Sequence, residues 1–470
     1  MTATDPALLS ATECLALYRR RRLSPAEVVA ACLARVERLD GGVNAFCLVD
    51  GEAAMAAARA AEARWMKGAP LGPVDGVPAT IKDLFVSAGW PTLRGSRTVD
   101  PAGPWTEDAP AVARLRESGA VFLGKTTTPE FGWKGLTDGP LTGITRNPWN
   151  RQRTPGGSSG GAAVAAALGM GALHLGTDGG GSIRIPAGFT GVFGIKPSFG
   201  RVPAHPPSVM GTLSHCGPIT RTVADAALML KVIAGPDERD PLALPPDPRD
   251  YRIGLEDGLA GLKIAYSPRL GGPAIHPEVA AAVVGAVETL ADLGAEVTEA
   301  EPDLGDALPL FYTHWYAGAA RLVDGIPADR HAEMDPGLLA AAERGRRIGI
   351  VEYGKAQAAR IELSRRAKAF LSRYDLLVTP TLPLPAFEAG ILLPAPGIPG
   401  WPAMTDWADW SPFSVPFNLT QQPACSIPCG FSSDGLPIGL QIVGPHHADG
   451  LVLRAARAFE SARPIRLPPT

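Results

Sequence analysis

Two serines sit in glycine-rich turns 24 positions apart, Ser158 in Thr154-Pro-Gly-Gly-Ser-Ser-Gly-Gly161 and Ser182 in Gly176-Thr-Asp-Gly-Gly-Gly-Ser-Ile-Arg-Ile-Pro186. Glycine beside a serine lets the backbone bend sharply and brings bare amide N–H groups close to a ligand. Aiming a serine oxygen at a carbonyl and holding the resulting oxyanion requires both. Such chemistry also needs a proton carrier. Lys82 ends the apolar run Val77-Pro-Ala-Thr-Ile81, an odd place for a solubilising residue in a chain where lysine is scarce beside arginine. A lysine forced into apolar surroundings loses its proton more readily, by about 3 pKa units or roughly 4 kcal/mol, and the neutral amine can act as a general base. Taken alone, Lys82 reads sooner as the partner of Asp83 or another carboxylate than as a base. Taken with the two turns, it reads as the base.

Rival motifs fail on context. A Gly/Ser linker would have polar, low-complexity flanks, whereas Ala163-Val-Ala-Ala-Ala-Leu168 and Gly191-Val-Phe-Gly-Ile-Lys-Pro197 are apolar enough to be buried. Gly119-Ala-Val-Phe-Leu-Gly-Lys-Thr126 matches the phosphate-binding GxxxxGK[ST] pattern, but its middle is a buried-strand run and Thr-Thr-Pro129 follows where a helix should start. Gly157-Ser-Ser-Gly-Gly161 matches GxSxG, yet the polar Asn150-Arg-Gln-Arg-Thr-Pro155 before it is no central strand. No SxxK tetrad exists in the chain. His205, His215, His446 and His447 lack metal-ligand spacing and read as loop or surface residues.

The elements that must position these residues change character along the chain. Residues 10–65 read as helices, with a capping box at Ser24-Pro-Ala-Glu27 and the basic run 19–22 on a solvated face. Between 71 and 235 short apolar runs (77–81, 120–123, 191–195) alternate with helical ones (108–118, 161–172, 222–233), and the run 162–175 between the serine turns is helix-prone. This alternation predicts α/β layering. Further strands are expected at 262–266, 295–298, 374–379 and 436–443, with helices at 277–293, 335–374 and 448–460.

At 470 residues with net charge −3, the chain offers no electrostatic reason for a nucleic-acid partner. It has no apolar run long enough for a membrane span and no signal-peptide pattern. Six cysteines without CxxC spacing suggest reduced thiols and a cytoplasmic home. Trp401, Trp407 and Trp410 crowd a proline-broken segment. It is either an aromatic ligand surface or a loop folded onto the sheet by its own tryptophans.

From Pro70-Leu-Gly-Pro-Val-Asp-Gly-Val-Pro-Ala-Thr-Ile-Lys-Asp83 to Gly435-Leu-Pro-Ile-Gly-Leu-Gln-Ile-Val-Gly444, the sequence resembles the amidase signature family. The resemblance implies a single α/β/α domain around a mixed sheet: an N-terminal helical part (1–67), a catalytic core (68–235) and variable substrate-pocket segments (300–417). It makes Ser182 the nucleophile, Ser158 a proton relay on a cis peptide bond and Lys82 the base. Gly179, Gly180, Gly181 and Ser182 would supply the oxyanion hole, with an Asp178–Arg184 salt bridge bracing the loop. Many relatives carry threonine where this chain has Gly179, so a side-chain hydrogen bond is lost.

Phe131-Gly-Trp133 is similar to a family segment that approaches the scissile group. With the tryptophans it points to a bulky or aromatic amide, Phe131, Trp133, Trp401, Trp407 and Trp410 being the expected contacts. Aryl carbamates fit the same machinery. A glutamine-hydrolysing amidotransferase component is the other alternative, against which stands Arg344-Gly-Arg-Arg-Ile-Gly-Ile350 where that component usually has a tyrosine-rich segment. No cofactor, metal, nucleic acid or membrane is expected, and a homodimer is left open.

Overall fold

The computed structural model describes residues 5–469 apart from 273, 396, 397, 399, 400 and 402. Strand Pro78–Lys82 is buried along its whole length, as a strand covered on both faces must be. It runs parallel to Val121–Thr126 on one side and to Leu173–Asp178 on the other. Parallel strands end at the same sheet edge, so Lys82 and Thr177 emerge side by side at the carboxyl end, where α/β sheets characteristically place ligands.

These three strands belong to a mixed sheet of eleven. Its order from edge to edge is Phe46–Val49, Val121–Thr126, Pro78–Lys82, Leu173–Asp178, His215–Thr220, Phe193–Lys196, Ala424–Phe431, Pro437–Val443, Leu376–Pro380, Lys263–Tyr266 and Glu296–Glu299. The four middle neighbours from His215–Thr220 to Pro437–Val443 pair antiparallel. On one face lies helix Gly160–Ala167, whose alanines pack with Ile183, Ala187 and Ile219. Helix Arg184–Thr190 lies on the same face, close enough that a Cβ on Gly194 would stand 2.8 Å from Ile183. On the other face Leu173, Leu175 and Ile195 meet helices Val223–Ile233, Pro277–Asp292 and Asp449–Ala462. The result is three layers, α/β/α.

Most expected elements form within a few residues of their predicted bounds, and the Ser24 capping box is made. Four expectations change. The helix after Ser158 ends at Ala167 because Gly169 and Gly171 turn the chain at φ +68° and +120°, and Leu173–Asp178 becomes a strand. Phe46–Val49 interrupts the N-terminal helices as an edge strand. Residues 335–374 split into Pro336–Arg346 and Ile350–Leu371, and helix Ala307–Asp324 precedes them unforeseen. His215 is a buried strand residue rather than a surface one, its Nδ1 2.9 Å from the Leu213 carbonyl. Among the described residues no helix is long and apolar enough to cross a membrane, and all six cysteines are unpaired.

Candidate active site

Lys82 is completely buried at its strand end, and its Nζ lies 2.7 Å from Ser158 Oγ, 2.9 Å from Ser159 Oγ and 2.8 Å from Thr177 Oγ1. No carboxylate pairs with it among the described residues. Asp83, the neighbour that sequence offers as a partner, instead holds Lys125 at 2.9 Å. Burial therefore pulls the Lys82 ammonium well below the ordinary lysine range, and the more distant Asp178 only partly offsets this. Lys125 is the lysine of the GxxxxGKT match. It stands on strand Val121–Thr126, fixed by Asp83, Thr92 Oγ1 (2.6 Å) and the Pro91 carbonyl (3.0 Å), so that motif forms no phosphate loop.

The Gly157–Ser158 peptide is cis. A Cβ on Gly157 would lie 2.2 Å from the Leu136 carbonyl oxygen, so only glycine fits there. Ser159 N–H donates to the Ser182 carbonyl at 3.1 Å, joining the two serine turns back to back. No hydrogen bond joins the Ser158 and Ser182 hydroxyls in this structure. Both residues are buried, at 2 % exposure each.

Asp178 shapes the second turn. Its carboxylate accepts from Gly181 N–H at 2.8 Å and from Arg184 Nε and Nη2 at 3.0 and 2.9 Å. Asn418 Nδ2 adds another bond at 2.9 Å, and Arg184 Nη1 reaches Gln441 Oε1 at 2.7 Å and the Ser414 carbonyl at 3.0 Å. Burial alone would raise the Asp178 carboxyl, but the Arg184 guanidinium holds it well below the usual carboxylate range. The expected Asp178–Arg184 brace is thus present and fully buried. The four-donor oxyanion hole is not. Gly181 spends its N–H on Asp178, which leaves the N–H groups of Gly179, Gly180 and Ser182 for a ligand.

The five aromatic residues picked from sequence separate in space. Phe131 lines a cavity of about 110 Å³ together with Leu84 and Thr177, beside the Lys82 cluster. Trp133 is buried, its carbonyl accepting Trp315 Nε1 at 3.0 Å. Trp407 stacks edge-on against Phe311 and Trp315, and Trp410 packs with Phe189 and Phe387. Both are fully buried, because helix Ala307–Asp324 and Phe189 of helix Arg184–Thr190 offer them apolar partners. The segment is a loop folded inward by its tryptophans, not an exposed aromatic surface. Of the three tryptophans in the segment only Trp401 is partly exposed, and it lines a larger cavity of about 560 Å³ that contains none of Lys82, Ser158 and Ser182.

Several site neighbours carry no usable sequence signal. Thr177 reads as part of a turn, although its strand sets its hydroxyl on Lys82. Phe311 and Trp315, one helical turn apart, back the glycine loop: a Cβ on Gly180 would meet Phe311 at 2.8 Å and one on Gly179 would meet Trp315 at 3.1 Å. The space that a threonine side chain would take at 179 is therefore held by Trp315. Ser414 Oγ donates to the Gly180 carbonyl at 2.7 Å. The 311/315 spacing is the one legible hint, as an i, i+4 apolar pair on a helix.

A fully buried lysine among hydroxyls, beside a glycine turn with free N–H groups, is equipped to activate a serine toward a carbonyl. The family model described as Amidase matches residues 27–453. An acylamidase of Rhodococcus erythropolis is 39 % identical over 470 residues, covering 99 % of this chain and 97 % of the relative. A glutamyl-tRNA(Gln) amidotransferase component of Salinispora arenicola is 37 % identical, with 98 % of each chain covered. Among solved structures, a bacterial aryl acylamidase of the amidase signature enzymes superposes with a TM-score of 0.90 at 32 % identity, over 97 % of this chain and 96 % of that one. The chain belongs to the amidase signature family, and it is a hydrolase of amide C–N bonds.

Proposed function

We propose that this amidase cleaves bulky or aromatic carboxylic amides through a Ser182 acyl-enzyme, with Ser158 as proton relay and Lys82 as base. The observation that carries the reading is the Lys82 amine: wholly buried, without a carboxylate, and in contact with three hydroxyls. A neutral amine has two protons to donate and one lone pair to offer. Ser159 Oγ donates its own proton to the Thr177 carbonyl at 3.1 Å, so it can only accept from Nζ. The lone pair then faces the Ser158 and Thr177 hydroxyls, and the proposed relay runs through Ser158.

As Ser182 Oγ bonds to the carbonyl carbon, its proton passes to Ser158 Oγ and the Ser158 proton passes to Nζ. The carbonyl π electrons collect on oxygen, facing the N–H groups of Gly179, Gly180 and Ser182; one such donor is worth roughly 2.7–4 kcal/mol. Collapse of the tetrahedral adduct breaks the C–N bond while Lys82, through Ser158, returns the proton to the leaving nitrogen. Water then releases the acid by the same relay run again.

The aryl acylamidase likeness and Phe131 on the wall of the cavity beside Lys82 favour arylamides. Aryl carbamates present the same carbonyl–nitrogen bond to the same groups. The likeness to amidotransferase components supports a second reading, glutamine hydrolysis for a partner, which would release ammonia from glutamine only with that partner present. The unpaired cysteines support a cytoplasmic home, and residues 300–417, which carry Phe311, Trp315 and Trp407, are assigned to the substrate pocket.

An electrophilic serine probe tests the nucleophile. It should label Ser182 and no other residue, and Ser182→Ala should form no acyl-enzyme from a nitroanilide. Labelling at Ser159 would sink the assignment.

A further inference from the structure

The cavity beside Lys82 holds one charge that the reaction does not use. Its wall joins Thr177, which touches Lys82, to Leu84, Phe131 and Arg94. It abuts the relay serine: a Cβ on Gly132 would stand 2.9 Å from Leu84 Cδ1 and 3.3 Å from Ser158 Oγ. Among the described residues the Arg94 guanidinium makes no hydrogen bond and no ion pair, although most of it is withdrawn from solvent. The one carboxylate that acts on it, Asp83, is already paired with Lys125 at 2.9 Å. Two cations thus share one carboxylate. Glu107 is engaged elsewhere, 3.7 Å from His205 on the same cavity wall and 3.9 Å from Arg239.

A half-buried guanidinium that faces a cavity and has no protein partner is placed to take an anionic group of a ligand. The backbone points the same way. Arg94 sits in the left-handed region at φ +56° and Phe131 at φ +50°, and Phe131 N–H donates to the Arg94 carbonyl at 2.7 Å. Two adjoining non-glycine residues in that region, both on the wall of one cavity, are strain held at a functional place.

We propose that Arg94 anchors a carboxylate carried by the leaving-amine half of the substrate, so that the preferred amides are N-acylated aminocarboxylates, an N-acyl aminobenzoate being the simplest aromatic case. The leaving half is assigned because the cavity flanks Ser158 and Lys82, the groups that return the proton to nitrogen. The inference rests on the catalytic reading above. A planar guanidinium and a carboxylate make paired, charge-assisted hydrogen bonds, which a neutral ring cannot replace.

The test compares kcat/KM for 4-(butyrylamino)benzoate with that for butyranilide. The carboxylate should be favoured at least tenfold in the native enzyme; the ratio should fall to near unity in Arg94→Gln and recover in part in Arg94→Lys. Because the readout is a ratio, a general loss of activity does not imitate the result. Equal rates for the two substrates, or a preference that survives Arg94→Gln, would overturn the proposal and leave the amidase reading standing. Should neither substrate turn over, or the variants fail to fold, calorimetry on the native protein decides: 4-aminobenzoate should bind at least tenfold more tightly than aniline, and equal binding overturns the proposal. Cleavage of neither substrate by folded protein would count against the amidase reading alone.

Discussion

The proposed chemistry needs Lys82 as a neutral amine, and burial lowers its ammonium in that direction. Arginine at the same place keeps its charge at every working pH and has no lone pair to offer. Lys82→Arg should therefore lose amide turnover almost as completely as Lys82→Ala, and a well-folded Lys82→Arg with near-normal kcat/KM would refute the base. The pH dependence follows from the direction of the shift. Activity requires the deprotonated form, so kcat/KM should rise with pH through a group titrating well below free lysine and then level off. The same shift acts on stability with a definite sign. The unfolded chain keeps this proton up to about pH 10.4 whereas the folded one releases it earlier, so native stability relative to Lys82→Met should rise with pH across that window, by at most about 1.4 kcal/mol per pH unit. Urea titrations at several pH values would show it. What makes Lys82, Ser158 and Ser182 legible from sequence is that each is out of place for a purely structural residue: a lysine in an apolar strand, serines in glycine-rich turns. Thr177 and Ser414 give no such sign, because a hydroxyl in a strand or loop is ordinary until its partner is known.

At the scale of elements, the site depends on where two turns leave the sheet. Gly181 has φ +124°, and a Cβ there would lie 2.3 Å from Ser414 Oγ, the group that holds the Gly180 carbonyl. Gly179 is less confined, since its nearest contact would be Trp315 at 3.1 Å. Gly181→Ala should cost about 1–3 kcal/mol of stability from backbone strain and overpacking and on the order of 100-fold in kcat through displaced oxyanion donors. Gly179→Ala should lose far less of either. Equal losses in thermal melts and steady-state rates would mean that the turn is not held as described. The strand feeding this turn shows where sequence reading stops. Residues 162–175 look helical throughout, since alanine and leucine suit a helix, and only tertiary pairing with Pro78–Lys82 and His215–Thr220 makes Leu173–Asp178 a strand. The indoor tryptophans are a similar case. Their composition suggests a surface, but burial depends on helix Ala307–Asp324, which no motif announces.

At the scale of the whole molecule, buried side chains tie the N-terminal helices to the core, and Arg221 makes the most bonds of them. Arg221 Nη2 donates to the carbonyls of Ala7 and Leu9 at 3.2 and 2.7 Å, while Nη1 donates to those of Gly171 and Ala166 at 2.6 and 3.3 Å. The first pair belongs to the start of the chain. The second lies at the end of the helix that follows Ser158 and before the strand that carries Thr177. Asp225 completes the tie by accepting from the N–H groups of Ala11 and Thr12 at 2.8 and 3.0 Å, which caps the first α-helix from outside. Arg221→Met would fill much of the volume and take this donor from four carbonyls, of which Ala166 keeps the Gly169 N–H at 3.2 Å and Leu9 is half-buried, so a loss of about 2–4 kcal/mol is expected. If residues 1–67 and the core form one cooperative unit, the variant should still unfold in a single transition, with tryptophan fluorescence and circular dichroism moving together at a lower urea midpoint. Two separated transitions would mean that the N-terminal helices melt on their own. In that case activity should disappear with the first transition only if the Arg221 contacts to Ala166 and Gly171 help hold the serine turn, so measuring amide turnover along the same urea series would say which end of the tie the catalytic site depends on.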